Sequence, residues 1–426
     1  MRLRHGGCMN FSTEPGNRVP HVAFFTDSFH ETNGVALTSR EFAKFAKAHF
    51  YPFFSVHAGE KTRHWRCGSF ETYELGLSRM RLGLEHDLVF DLLFLRHVRK
   101  LESALRTFQP DIIHVTGPGH VGMLGAIVAH RLGIPLVASW HTNVHEFGAR
   151  RLQKALAVAP AIIRNSAAAL AERTALTLTA RFYRLAKMMF APNPELRAML
   201  STRCNRPVHP MHRGIDCALF NPERRRANDG PFVIGYVGRI SAEKNVRMLA
   251  AVELLLRQHG LKNYEFCIVG EGSERPWLQQ NLSSAVFRGL LKGDVLADAY
   301  AQMDALLFPS ETDTFGNVVL EAAASGVPAL VSADGGPKYL VEHGVTGFVA
   351  SSAEDYAEAI FKLAASKALR VEMGGAAREA ARSRSWNAVF EGMYQNYRDG
   401  REAGLLVANN VTRQPRQKTF HIKTVS

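Results

Sequence analysis

Short apolar runs alternate with helical stretches along nearly the whole chain, and that alternation limits the folds open to it. In the first half the runs are "HVAFFTD" (21–27), "YPFFSV" (51–56), "DIIHVTG" (111–117), "PLVASWHT" (135–142), "KMMFAPN" (187–193) and "VHPMHRGID" (208–216). Each is short, apolar and bounded by turn or helix signals, and reads as a buried strand. Helical stretches such as "GMLGAIVAHRLG" (122–133) separate most of them. Strands that alternate with helices assemble into a parallel sheet with helices on both faces.

The stretch "NPERRRANDGP" (221–231) breaks the pattern, being polar, charged and closed by Gly-Pro. A second series follows: "PFVIGYVGR", "YEFCIVGEG", "AVFRGLL", "ALLFPS", "PALVSAD" and "TGFVA", with helices expected at 242–259 and 317–326. A chain of 426 residues has the length of two domains. The expected class is therefore α/β, with two Rossmann-like, doubly wound domains. The expected division is a disordered leader at 1–18, a first domain at 19–220 and a second at 221–384. A C-terminal helix at 385–400 is expected to pack back on the first domain, and 401–426 to form a loose basic tail. In "SWNAVFEGMYQNYRD" (385–399) the apolar and aromatic residues fall on one helical stripe.

The net charge is +13, which suits phosphorylated ligands, an anionic membrane surface or nucleic acid. Part of the excess lies at the ends, in "MRLRH" and "RQPRQKTFHIK", so basic termini account for it equally well. No recognition-helix, zinc-finger or RNP signature is present, and no nucleic-acid partner is expected. The five cysteines contain no C-x-x-C pair, which indicates neither a disulfide scaffold nor a zinc site and fits a reducing cytosol. No apolar run reaches the length of a membrane span, and the N-terminus lacks the apolar core of a signal peptide. The stretch "EFAKFAKAHFYPFF" (41–54) reads either as a core-facing helix with lysines outside or as a basic face for a membrane surface. A cytoplasmic protein is expected, peripheral at most on the inner face of the membrane.

In open parallel sheets ligands sit beyond the carboxyl ends of the strands, so the loops after them carry the chemistry. In "GYVGRISAEKN" (235–245) a strand runs into Gly238, then Arg239, with Ser241 as a helix N-cap and Lys244 in the first turn. Free amides, the helix dipole and two cations suit a phosphate; an ordinary strand-to-helix turn with solvated bases is the other reading. In "ETDTFGNVVLE" (311–321) two carboxylates, Asp313 and Glu321, flank Phe315, Gly316 and Asn317 at a helix start. That spacing is read as suiting sugar or ribose hydroxyls better than a metal. A dipole-favoured acid and a surface glutamate fit it as well.

The motifs taken in order resemble the retaining GT-B glycosyltransferases of the large family 4 (glycosyl transferases group 1). That family includes sucrose synthase, bacterial mannosyltransferases and sulfoquinovosyl-diacylglycerol synthase. Its "E-x-F-G-x-x-x-x-E…A-x-A-x-G-x-P" is "DTFGNVVLEAAASGVP" here, "G-R-x-x-x-E-K" is "GRISAEK", and "V-G-x-G" is "VGEG". "RGIDCALFNP", "FPS" and "GGPKYLVEHGVTG" match three further motifs, and the order holds over roughly 20–400. "DTFGNVVLE" and "DSFHETNGVA" are most similar to the subgroup of bacterial GDP-mannose-dependent mannosyltransferases and sulfoquinovosyl-diacylglycerol synthase.

The resemblance implies a GT-B enzyme whose first domain binds the acceptor and whose second binds a nucleotide sugar across a cleft. Catalytic roles would fall to Arg239 and Lys244 on the donor diphosphate, to Asp313 on the donor sugar, and to His141 beside the transferring sugar. Donor contacts would also include Gly34, Gly238, Gly270, Phe315, Gly316, Asn317 and the ribose-holding Glu321, with Phe287 and Leu290 against the base. Asn33, His120 and Asn143 stand on the acceptor side. The implied reaction moves a hexose from GDP-mannose or a UDP-hexose to a hydroxyl of a lipid, glycolipid or glycan, with retention and without a metal or other cofactor. A GT-B epimerase, a sugar phosphorylase and a non-catalytic relative are the alternatives. Two positions depart from the pattern. Asp313 stands where most relatives have Glu, with Glu311 nearby to make up the reach, and Lys338 stands where many have Glu.

Overall fold

The computed structural model describes residues 18–31, 33–85, 88–141, 161–226 and 230–407. Strands β1 (Val22–Thr26), β2 (Phe53–Gly59), β3 (Arg63–Cys67) and β4 (Phe70–Gly76) come first, followed by a separate ribbon of β5 (Arg81–Glu85) and β6 (Leu88–Asp91). Then come β7 (Ile112–Val115), β8 (Leu136–Ser139), β9 (Met188–Ala191) and β10 (Val208–Pro210). The first sheet runs β10-β9-β8-β7-β1-β2-β4-β3. Its strands are parallel except that β3 pairs antiparallel with β4. The second sheet holds β11 (Phe232–Val237), β12 (Tyr264–Val269), β13 (Ala285–Gly289), β14 (Ala305–Phe308), β15 (Ala329–Ser332) and β16 (Gly347–Ala350). Its order is β13-β12-β11-β14-β15-β16, parallel throughout.

The apolar runs become strands because helices cover both sheet faces, so every position must be buried. All four residues of β7, β8, β9, β14 and β15 are buried. The strands β3 to β6 lie where the apolar pattern gave no strand. "RHWRC" in β3 is exposed at every position, a polar, charged edge that discourages pairing with another chain.

The helix expected at 242–259 is two pieces. A single 3₁₀ turn, Ala242–Lys244, ends at Asn245, whose φ of 52° is left-handed, and the α-helix begins only at Arg247. Asn tolerates that conformation better than most residues, and its side chain is held by Glu311 at 3.0 Å.

The helix Trp386–Glu402 lies on the first domain. Phe390 stacks on Phe42 at 4.6 Å, Trp386 stacks on Phe390 at 5.5 Å, and Tyr394 and Tyr397 are fully buried. Such ring pairs contribute about 0.5–1.5 kcal/mol each beyond area burial. The chain thus passes between the domains twice, and the two passages touch. Ile215 N–H donates to Arg384 O at 2.9 Å, and Gly214 lies against the Trp386 backbone.

Candidate active site

In the second sheet β11 has β12 on one side and β14 on the other. Loops leaving β11 and β14 therefore part to opposite faces and open a crevice at their carboxyl ends. The loop after β11 turns at Gly238, whose φ of 149° favours glycine. Its N–H donates to Val269 O at 3.0 Å, and Tyr236 donates its hydroxyl to Arg239 O at 2.7 Å. Burial raises the Tyr236 pKa well above its ordinary value, so it remains a donor. Lys244 Nζ reaches across to Asp313 Oδ1 at 2.6 Å. Thr312 Oγ1 donates to Glu243 O at 3.0 Å, and Asn245 holds Glu311. Three side-chain bonds thus stitch the two crevice loops together. Arg239 sits 3.7 Å from Glu243. Ser241 was expected to cap a helix, but its side chain makes no cap bond, because the α-helix starts six residues later.

Gly316, at φ 96°, starts the helix Asn317–Ala324 without a side-chain cap. Phe315 is buried, so its ring belongs to the core and only its backbone faces the loop. Glu321, one turn in, accepts the Tyr300 hydroxyl at 2.7 Å. Burial raises its pKa, and the Tyr300 bond acts against that rise. Gly270 closes the same end of the sheet, its N–H donating to Gly289 O at 2.8 Å. Phe287 is partly buried beneath the Arg275 guanidinium at 5.7 Å, and Leu290 is 65% exposed.

The first domain supplies the opposite wall, and the walls meet at several points. Thr314 Oγ1 donates to the His141 carbonyl at 2.9 Å, and Asn193 Nδ2 donates to Thr314 O at 2.8 Å. A Cβ on Gly34 would lie 2.9 Å from Asn317 Nδ2. Asn33 caps the helix Gly34–Ala48, accepting from Ala36 N–H at 2.9 Å. Lys338, a departure from the expected motif, bonds Glu195 of the first domain at 2.8 Å. Each partner stabilises the other's charged form, raising the Lys338 pKa and lowering that of Glu195. His120 is buried under Phe90, 3.7 Å from Asp27. Asn143 lies outside the described residues.

The His141 side chain does not point out of this wall as a free base. Its ring is buried, with Arg213 2.8 Å from Nδ1 and Ser139 Oγ 2.6 Å from Nε2. Ser139 Oγ lies 3.0 Å from His114 Nε2, and His114 Nδ1 lies 2.5 Å from the Tyr397 hydroxyl. Arginine only donates, so His141 Nδ1 must accept and Nε2–H must donate to Ser139. Ser139 is then free to donate to His114 Nε2, which leaves Nδ1–H facing Tyr397. One buried cation sets both tautomers. Arg213, Ser139, His114 and Tyr397 were not singled out from the sequence. Only Arg213 lay in a recognised motif, "RGID".

Burial is the main cause that depresses both histidines, His114 to about 3 and His141 well below 6.5, where Arg213 adds to it. A depressed folded pKa means that the unfolded chain binds the extra protons. The stability contributed is full above the unfolded value near 6.5 and is lost as pH falls below it. From pH 7 to pH 5 the His114 ring should remove about 2 kcal/mol, and the His141 ring acts in the same direction. Urea unfolding at the two pH values measures this, and His114→Asn should shrink the difference by about that amount.

No helix among the described residues is long and apolar enough to cross a membrane. The family described as glycosyl transferases group 1 matches residues 231–366, and glycosyltransferase family 4 matches 71–219. The GDP-mannose-dependent alpha-mannosyltransferase of Mycolicibacterium smegmatis is 32% identical over 70% of this chain and 76% of its own. The chain belongs to the group 1, family 4 glycosyltransferases. The Corynebacterium glutamicum protein of the same name is 27% identical over 90% of this glycosyltransferase and 89% of its own length. The sulfoquinovosyl transferase of Arabidopsis thaliana is 30% identical over 68% of this chain and 57% of its own. Among solved structures, sucrose-phosphate synthase from Thermosynechococcus elongatus superposes with a TM-score of 0.69, at 20% identity over 91% of this chain and 100% of its own. Anabaena HepE in complex with UDP and glucose gives 0.61, at 16% identity over 89% of this chain and 99% of its own. Both place the glycosyltransferase in the GT-B fold.

Proposed function

We propose that this glycosyltransferase moves a hexose, mannose first among them, from a nucleotide sugar to a hydroxyl of a lipid, glycolipid or glycan acceptor. The observation that carries the reading is the two cations in the loop after β11, Lys244 bridging to Asp313 of the facing loop and Arg239 beside Glu243. A nucleotide sugar needs stabilisation of the charge that gathers on its departing diphosphate. Fixed cations and amides aimed at that charge supply the largest single term in such sites. Lys244 and Arg239 take the diphosphate with the amides at 315–317, Asp313 takes sugar hydroxyls and Glu321 takes the ribose. The donor name of the mannosyltransferase relatives supports GDP-mannose over a UDP-hexose.

In this reading the acceptor attacks on the face the diphosphate leaves, giving retention, and a leaving phosphate oxygen takes the proton. The two domains divide the work at about residue 220, with acceptor groups such as Asn33 on the first. His141 is a positioning residue. It holds the Thr314 loop through its carbonyl while its ring is bound on both nitrogens. The cations take over the task a divalent metal performs elsewhere.

The test is a panel of GDP-mannose, UDP-glucose and ADP-glucose, scored by nucleotide release with lipid extracts as acceptor. Release should depend on the acceptor, need no added Mg²⁺ or Mn²⁺, be fastest with GDP-mannose and yield an alpha-mannoside by mass spectrometry and NMR. Release without a glycoside product, or no donor affinity across the panel, overturns the reading.

A further inference from the structure

Three residues at the carboxyl end of the first sheet have no part in the chemistry above. His30, His57 and Glu74 each bring one ligating atom within 4.8 Å of the others, among the described residues the one group of three His, Cys, Asp or Glu to do so. They come from three neighbouring chain segments. His57 in β2 is the register partner of Glu74 in β4, so both side chains share a sheet face. His30 follows β1, which pairs with the other side of β2.

The local packing orients the donor atoms. Phe29 stacks flat on His57 at 4.1 Å and 3°, and the His30 ring meets His57 edge-on at 5.0 Å and 81°. His57 Nδ1 faces the Ala58 carbonyl at 3.2 Å. A carbonyl only accepts, so Nδ1 carries the proton and Nε2 keeps its lone pair. A backbone carbonyl on the remote nitrogen is the arrangement that fixes metal-bound imidazoles. Glu74 Oε1 lies 3.8 Å from His30 Nε2, and Arg63 approaches only the other oxygen, at 4.0 Å. The His30 side chain is 60% exposed, so it can swing inward the short distance that closes the three atoms on an ion.

We propose that His30, His57 and Glu74 form a site for a late first-row divalent cation, with Zn²⁺ as its best occupant. Two imidazoles and one carboxylate suit Zn²⁺, Co²⁺ or Ni²⁺, whereas Mg²⁺ and Ca²⁺ favour all-oxygen shells. Three protein ligands leave the fourth position to water. The ion ties His30 to the sheet four residues before Gly34, the residue that meets Asn317 of the donor domain. It takes no part in the transfer itself.

The full chain, made without a histidine tag and stripped with chelator, is titrated with Co²⁺ and then Zn²⁺. One equivalent of Co²⁺ should give a visible d–d band that Zn²⁺ abolishes. Losing a ligand should cost more than the about 10–100-fold that loss of an outer-shell partner costs, so H30A and E74Q should each weaken binding at least that far. The His30 side chain is exposed, so H30A keeps the fold, and E74Q keeps the shape of the carboxylate it replaces. His57→Asn should abolish the band, with circular dichroism checking the fold. Absence of a stoichiometric band at micromolar metal overturns the site. So does a band unchanged in H30A and E74Q, which would place the metal elsewhere among the 18 histidines.

Discussion

Lys244→Ala is expected to lower kcat by about 10²–10³-fold, the effect of removing one preorganised group that meets transition-state charge. Two mechanisms give a loss, and the geometry separates them. The Lys244 ammonium rests on Asp313 at 2.6 Å, with both side chains largely enclosed. Truncating the lysine strands a carboxylate in the crevice, which by itself repels a diphosphate. The double variant Lys244→Ala/Asp313→Asn removes the stranded charge. If Lys244 meets the leaving group, the double variant stays as slow as the single one or slower. Recovery towards the parent rate would mean that the lysine only neutralises Asp313, and the assignment would fall. Steady-state kinetics with saturating donor makes the comparison.

Glu321→Ala is expected to raise the donor KM more than it lowers kcat. Hydrogen bonds to a charged acceptor contribute about 1.5–3 kcal/mol, so the shift should be roughly 10- to 150-fold. The carboxylate must be ionised to accept two ribose hydroxyls. Burial raises its pKa above the usual carboxylate range, so kcat/KM for the donor should fall on the acid side earlier than an exposed glutamate would allow. Glu321→Gln should erase that limb while keeping KM high. Tyr300→Phe deletes the bond that counters the rise and should move the limb to higher pH. A pH profile of kcat/KM unchanged in both variants would remove Glu321 from the donor site.

Much of this was legible in the chain itself, for identifiable reasons. Strands buried on both faces read as unbroken apolar runs, so "DIIHVTG" and "ALLFPS" announced β7 and β14. Crevice residues sit in the short loops after such strands, which is why Arg239, Lys244 and Asp313 were found from their positions. The edge strand "RHWRC" was not found, because its residues are chosen for solvent and show no apolar period. The buried relay was out of reach as well. His114, Ser139, His141, Arg213 and Tyr397 are joined only by the folded sheet, and no local spacing links them. His141 itself was found, but the occupation of both its nitrogens needs Arg213 and Ser139 in place. The cation cluster escaped for the same reason, since His57 and Glu74 meet only through strand register.

The touching passages between the domains govern how the halves can part. With Ile215 bonded to Arg384 and Gly214 against Trp386, the chain is riveted along one line, like the spine of a book. Sliding or swivelling would shear both rivets at once, so the compliant motion is a swing about that spine. A protease nick in either passage alone would leave the covers attached, and only cutting both would release two separable halves.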